Sequence, residues 1–332
     1  MKKIFAALLM LTILVFMPGE VFASIRYVDP IFEGVEVTKD VEYSKIDGQK
    51  LLLDIYKPKQ DSLNNRPAIV MVHAGGFATG DKKDMSTLAN EYAKKGFVVV
   101  SANYRLSNSD YVGKLDPSKI SDIPAIINAQ QDVQVAMRWV KANSSQLGID
   151  KNQVFVIGSS AGAVIALLVD FNQEKAPVGR EYPNESVSVV AVAAICGVAD
   201  YRMVQSGDAP VIMFNAGKDA LILPSWVIPF QNRIIEKGVP HEFNWYPESQ
   251  HGGVPYVDVV QKITSFFFKY INSQVVEDVY DLNSDGLVNI VDIGMIISHY
   301  GESNPQDKKL DVNRDGIVNI VDIGLLIDNY DF

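Results

Sequence analysis

QVFVIGSSAG, from Gln153 to Gly162, is the stretch from which the architecture of this chain can be read. Val154 to Ile157 make a short apolar strand. The strand runs straight into a G-x-S-x-G elbow, Gly158-Ser159-Ser160-Ala161-Gly162. Such an elbow turns sharply from strand to helix and lifts its middle serine clear of the backbone. Side chains at the flanking positions 158 and 162 would collide with the crowded strand and helix, which suits residues without a Cβ. AVIALLV (163–169) continues as an apolar helical run, and its N-terminus brings free N–H groups and a positive dipole end beside the serine. Ser160 is therefore the candidate nucleophile. The motif alone is weak, so a base, an acid and an oxyanion hole are needed from the rest of the chain.

Outward from the elbow, apolar strands alternate with helices. Val35–Ser44 and Lys50–Tyr56 form a hairpin through Asp47-Gly48. RPAIVMVH (66–73) and FVVVSA (97–102) are continuous apolar runs, expected of strands buried on both faces. Helices are expected over Lys83–Lys95 and Asp132–Asn143. Strands then follow at Val187–Cys196, Pro210–Asn215 and His241–Tyr246, and helices at Trp226–Lys237 and Tyr256–Tyr270. This alternation implies a mostly parallel α/β sheet with helices on both faces. Ser107–Pro124, Gln173–Glu185 and Gly197–Ala209 are candidate loops near the site.

The chain has 332 residues, 48% apolar and 21% charged, enough for one large and one small domain. A net charge of −10 argues against nucleic acid as a partner. The single cysteine, Cys196, lies in an apolar run and reads as a buried small residue. Lys2 and Lys3, the apolar run Ile4–Met17 and Val21-Phe22-Ala23 describe a signal peptide over residues 1–23, with Ser24 as the mature start and no membrane span after cleavage. The mature protein is expected outside the cytoplasmic membrane. The large domain is expected over 24–272 and the small one over 273–332.

HAGGF (73–77) follows a strand, where glycines let the backbone approach a substrate carbonyl. The N–H groups of Gly75 or Gly76, with that of Ala161, are the candidate oxyanion donors. Of four histidines, His73 belongs to that segment, His241 sits on a strand and His299 in the C-terminal repeat, leaving His251 as the base. Asp219, directly after strand Pro210–Asn215, is the preferred acid, and Asp200, after an earlier strand, ranks second. The order Ser160, Asp219, His251 suits a nucleophilic triad with no cofactor.

With these signals in sequence, residues 35–271 resemble the α/β-hydrolase esterases of the hormone-sensitive-lipase-like and carbohydrate-esterase kind. LLLDIYKP, HAGGF, GSSAG, AGKD and SQHGG carry the likeness. Ala74 departs from it, where relatives more often have glycine. Ser159 departs too, where many have an acidic or bulky residue. The resemblance implies ester hydrolysis through an acyl-enzyme. A prolyl-oligopeptidase-like serine peptidase and a general short-chain carboxylesterase are the alternatives, and the H-x-G-G segment disfavours the peptidase. A binding protein on a dead hydrolase fold is disfavoured by the intact Ser, Asp and His.

Composition changes near Asn272. Residues 281–301 and 311–331 are identical at 13 of 21 positions, with a period of 30. Each begins D-x-N-x-D-G-x-x-N-x-x-D. Loop positions 1, 3, 5, 9 and 12 are Asp281, Asn283, Asp285, Asn289 and Asp292, then Asp311, Asn313, Asp315, Asn319 and Asp322. Leu287 and Ile317 at position 7 offer carbonyls. Oxygen ligands at this spacing suit two structural Ca²⁺ ions. Position 12 is Asp rather than Glu, and no helix precedes either loop. Both features resemble a dockerin, over about Val279–Tyr330. That resemblance implies a small all-α calcium-binding domain and a cohesin module of a scaffold protein as partner. The substrate implied is a polysaccharide-linked or small ester: an acetyl or feruloyl group of plant cell-wall xylan.

Overall fold

A computed structural model of the chain describes residues 25–46, 48–107, 116, 118–171, 181–271, 280, 282–283, 288–313 and 316–328. The expected signal peptide over 1–23, Ser24, and the central parts of the loops at 107–124 and 173–185 lie outside these residues. The chain divides into two compact units, one within Ser24–Glu277 and the other within Asp278–Phe332.

The larger unit is built on an eight-stranded sheet of order β1-β2-β4-β3-β5-β6-β7-β8. Its strands are β1 (Val35–Ile46), β2 (Gln49–Pro58), β3 (Arg66–Val72), β4 (Val98–Ala102), β5 (Ile149–Ser159), β6 (Val192–Ile195), β7 (Val211–Ala216) and β8 (His241–Tyr246). The β1–β2 and β2–β4 pairs are antiparallel, and every other pair is parallel. Helices α1 (Ser86–Lys94), α2 (Pro124–Ala142), α3 (Ser144–Leu147), α4 (Ala161–Phe171), α5 (Pro224–Glu236) and α6 (Tyr256–Phe268) connect or follow the strands.

The two-residue period of a strand sorts the core. Ala68, Val70 and Val72 of β3 pack with residues of α2, α4 and α5 on one face. Ile69 and Met71 pack with residues of α1 and α6 on the other. Every residue of β3 and β4 is buried, as a strand covered on both sides requires. Parallel strands with these crossovers all end on one edge of the sheet. That edge receives the segment 73–77 after β3, the elbow after β5, and the loops after β6, β7 and β8.

Two expected elements differ. Helix α2 begins at Pro124, eight residues before Asp132. Proline preorganises a first helical turn, but buried polar residues interrupt the apolar period that would reveal it. Gln130 and Asp132 are both buried, and Gln130 donates to Leu168 O at 2.8 Å. The strand expected over Val187–Cys196 contracts to four residues. Residues 185–188, at and just before its expected start, are held by α2 instead: Lys141 Nζ donates to Ser188 O at 2.7 Å and to Ser186 Oγ at 3.0 Å, and Arg138 Nε donates to Glu185 O at 3.1 Å, while Val190 N–H still donates to Val154 O of β5 at 2.8 Å.

In the smaller unit, α7 (Ile290–Ser298) and α8 (Ile320–Asp328) flank a core that includes Leu282, Val288, Ile296, Leu310, Val318 and Leu326. Asn289 caps α7: its side chain accepts from Val291 N–H, and Asp292 accepts from Asn289 N–H in return. Asn319 and Asp322 repeat both bonds at the start of α8.

Candidate active site

The elbow places Ser160 at φ 52°, in the left-handed region that a β-carbon disfavours. Its N–H is anchored on Ile195 O of β6 at 2.8 Å, and its C=O accepts from Ala163 and Val164 as α4 begins. Contact between strand and helix is close enough to exclude side chains. A β-carbon on Gly158 would lie 2.1 Å from Gly162 O, and one on Gly162 would lie 2.1 Å from Val72 O. The strain at Ser160 is therefore imposed by a rigid, fully packed corner.

Ser160 Oγ lies 2.7 Å from His251 Nε2. His251 Nδ1 lies 2.7 Å from Asp219 Oδ2. The second carboxylate oxygen of Asp219 accepts from Leu221 N–H and Ile222 N–H, both at 2.8 Å. Asp219 and Cys196 are buried, while His251 keeps some exposure. The arrangement fixes the imidazole with its proton on Nδ1 toward Asp219, leaving Nε2 as an acceptor for the serine hydroxyl.

Asp200 is not near enough to compete for this place. It is buried beneath Arg202, whose Nε lies 2.9 Å from Oδ1, and it accepts from Ser121 Oγ at 3.0 Å. Both groups favour its charged form, and the carboxyl is held below its usual value despite burial. Asp200 ties residues 118–122 to the loop after β6. His241 sits on the edge strand β8, with Nδ1 2.7 Å from Val239 O and its ring stacked on Phe243.

The segment after β3 is bent back on itself. Gly75 has φ 123°, and a β-carbon there would meet Thr79 O at 2.0 Å. Gly75 O accepts from Ala78 and Thr79, while no hydrogen bond from the N–H of Gly75, Gly76 or Ala161 is made among the described residues. These three N–H groups remain free for a ligand. His73 is buried, its Nδ1–H donates to Ala74 O at 2.7 Å, and its ring stacks on Tyr104 with centroids 4.3 Å apart. Burial lowers its pKa, so it stays neutral and serves the shape of the loop.

One residue at this site escaped the sequence reading. Cys196 is the first residue past β6, at φ 53°, and its N–H donates to Phe214 O at 2.8 Å. Its sulfur and the donor atoms of Asp219 and His251 all lie within 4.8 Å of one another. A signal was present: Cys196 ends the strand next to the elbow strand, on the edge where the other site residues fall.

In the smaller unit, Asn283, Asn289, Asp292, Asp311, Asn313, Ile317, Asn319 and Asp322 are described, while Asp281, Asp285, Leu287 and Asp315 lie outside the described residues. Asp292 and Asp322 are fully buried. Asp292 accepts from Leu282 N–H at 2.9 Å and Asn283 N–H at 3.2 Å; Asp322 accepts from Asn313 N–H at 3.1 Å. No Lys or Arg pairs with either carboxylate among the described residues. Two buried carboxylates in loops of oxygen donors, without a cationic side chain, fit a hard divalent cation.

A parallel-majority sheet with a serine elbow, a histidine after the last strand and an aspartate after the one before it define an α/β-hydrolase with a serine triad. The BD-FAE family model matches residues 53–223, just over half the chain, and the dockerin type I domain model matches residues 279–329. The chain belongs to the BD-FAE family of α/β-hydrolase esterase domains and carries a C-terminal dockerin. Fumonisin B1 esterase of Sphingopyxis macrogoltabida is 33% identical over 118 residues, 34% of this chain and 21% of that protein. A probable carboxylic ester hydrolase of Mycobacterium tuberculosis is 26% identical over 176 residues, 52% of this chain and 37% of that protein. The chain thus spans a fifth to somewhat over a third of these curated relatives. Among solved structures, esterase 2 of Thermogutta terrifontis phosphorylated by paraoxon matches with a TM-score of 0.62 at 20% identity, over 74% of this chain and 96% of that one. At that identity the likeness concerns the fold.

Proposed function

We propose that this protein is a serine carboxylic-ester hydrolase that removes acetyl or feruloyl groups from plant cell-wall polysaccharide while docked to a scaffold protein. The observation that carries the reading is the continuous relay from Ser160 Oγ through His251 to Asp219, with both links at 2.7 Å. His251 Nε2 takes the proton of Ser160 as Oγ attacks the ester carbonyl. Asp219 holds the tautomer and stabilises the imidazolium. The N–H groups of Gly75 or Gly76, and of Ala161, receive the oxyanion. His251 then gives the proton to the leaving alcohol, and water releases the acyl group by the reverse relay. No step calls for a cofactor.

The dockerin supports a cohesin module as partner and an extracellular place of work, with the N-terminal residues as the export signal. Two Ca²⁺ ions would be held by Asp281, Asn283, Asp285, Leu287, Asn289 and Asp292, and by Asp311, Asn313, Asp315, Ile317, Asn319 and Asp322. They supply folding free energy to the module and take no part in ester cleavage. Assay of the purified protein on an aryl acetate, methyl ferulate and a chromogenic prolyl peptide tests the reading. Ester turnover abolished in Ser160→Ala supports it, whereas peptide turnover without ester turnover overturns it.

A further inference from the structure

We propose that Cys196, Asp219 and His251 form an inhibitory site for a thiophilic divalent cation, of which Zn²⁺ and Cd²⁺ are the probes. The three donor atoms lie within 4.8 Å of one another. Zinc bonds of about 2.0–2.3 Å place the donors of a tetrahedral site roughly 3.3–3.8 Å apart. The existing triangle is therefore close to the required size. The Asp219–His251 contact, now 2.7 Å, would open by about 0.6 Å, and the sulfur would close in by about 1.3 Å at most.

The donor set is one sulfur, one nitrogen and one oxygen. It suits zinc or cadmium and is poor for Ca²⁺, which prefers oxygen alone. The metal loops of the smaller unit have the opposite preference, so the two kinds of site would not compete for one ion. Burial pushes the Cys196 thiol up to about 11, so without a cation it is held as the neutral thiol. A cation beside it is the agent that can deprotonate it. Asp219 and Cys196 are buried, and the partly exposed His251 gives the way in, with the fourth position left to water.

The proton balance predicts how inhibition would work. His251 Nε2 faces Ser160, so the cation takes Nδ1. The imidazole proton moves from Nδ1 to Nε2, and the thiol proton leaves to solvent. Nε2–H then points at Ser160 Oγ and cannot accept its proton. Substrate still enters, because Ser160, Gly75 and Gly76 are untouched. The cation should thus lower kcat and leave KM nearly unchanged.

The test uses the full chain with Ca²⁺ in excess. ZnCl₂ and CdCl₂ are titrated against turnover of an aryl acetate, and cadmium–thiolate charge-transfer absorption is followed in parallel. The absorption is unambiguous because the chain holds a single cysteine. It does not depend on ester hydrolysis, so it separates failure of this site from failure of the proposed activity. The expected result is a fall in kcat at constant KM, together with a thiolate band. Cys196→Ala and Cys196→Ser, each compared with its own metal-free rate, should need at least about tenfold more cation, the usual minimum for disrupting a metal site. Should neither variant fold, slower reaction of the wild-type thiol with a thiol reagent in the presence of Zn²⁺ supports the site. Equal sensitivity of the variants and the wild type, the absence of a thiolate band, or unchanged thiol reactivity overturns it.

Discussion

Replacing Asp219 by Asn keeps the side-chain shape and changes one proton, which makes its effect calculable. Asp219 Oδ1 accepts two backbone N–H groups at 2.8 Å, while Oδ2 faces His251 Nδ1. In the Asp219→Asn variant the amide oxygen is claimed by Leu221 and Ile222, so the NH₂ group faces His251. Nδ1 must then accept, the imidazole proton sits on Nε2, and Ser160 has no base. The opposite flip restores the productive tautomer but leaves two buried N–H groups facing an NH₂. At about 1–3 kcal/mol for each unsatisfied donor, the flip costs roughly 2–6 kcal/mol and is populated to a few per cent at most. Asp219→Asn should therefore lose at least about 30-fold in kcat by that flip bound, and about 10⁴-fold where the wrong tautomer dominates. The loss reads directly in kcat on an aryl acetate, with circular dichroism as a check on folding. Asp200→Asn should keep the same chemistry, since Asp200 is occupied by Arg202 and Ser121. A folded Asp219→Asn with more than about a tenth of wild-type kcat, beside a dead but folded Asp200→Asn, would refute the assignment.

Gly162→Ala should destabilise the larger unit by about 3 kcal/mol or more, the upper end for overpacking, because the new methyl meets the carbonyl oxygen of Val72 rather than a movable side chain; calorimetry that finds an unchanged Tm contradicts the packing described for the elbow. Buried His73 resists protonation, so its contribution to stability is present in full above pH 6.5 and is lost as pH falls toward its lowered folded value. The fall in Tm between pH 7.5 and 5 should consequently be shallower in His73→Asn, and identical slopes would remove His73 from the account. EDTA should abolish a calcium-dependent unfolding transition of the C-terminal module and leave ester hydrolysis largely intact; strong loss of activity restored by Ca²⁺ would contradict this. Ile290, Val291, Ile320 and Val321 are all exposed and occupy equivalent places on α7 and α8. If either helix can meet the cohesin, charged substitution in one repeat should cost about 0.4 kcal/mol, the RT ln 2 of losing one of two equal modes, and substitution in both repeats should abolish capture. A folded single-repeat variant with no binding excludes two equivalent modes.

The fold class was legible because its signals are local. Continuous apolar runs mark strands covered on both sides, glycine spacing marks the elbow, and a period of 30 residues marks the repeat. The order of Ser160, Asp219 and His251 along the chain could be read for the same reason, since parallel strands with right-handed crossovers deliver every following loop to one edge. Element bounds were less legible where tertiary contacts override the local pattern. Helix α2 reaches back to Pro124 through buried Gln130 and Asp132, and residues 185–188 are held by Arg138 and Lys141 of α2 rather than by a neighbouring strand. Sequence could rank Asp219 above Asp200, but only packing separates them: one carboxylate lies 2.7 Å from His251, the other beneath Arg202. The place of Cys196 was likewise decided in three dimensions. VVAVAAICG puts Cys196 at the site edge of the sheet, but does not reveal that the chain there bends to φ 53° and brings a sulfur within 4.8 Å of an aspartate and a histidine that follow 23 and 55 residues later. Periodicity along the chain reports which face a residue takes, whereas distance between loops depends on how the strands pack side by side.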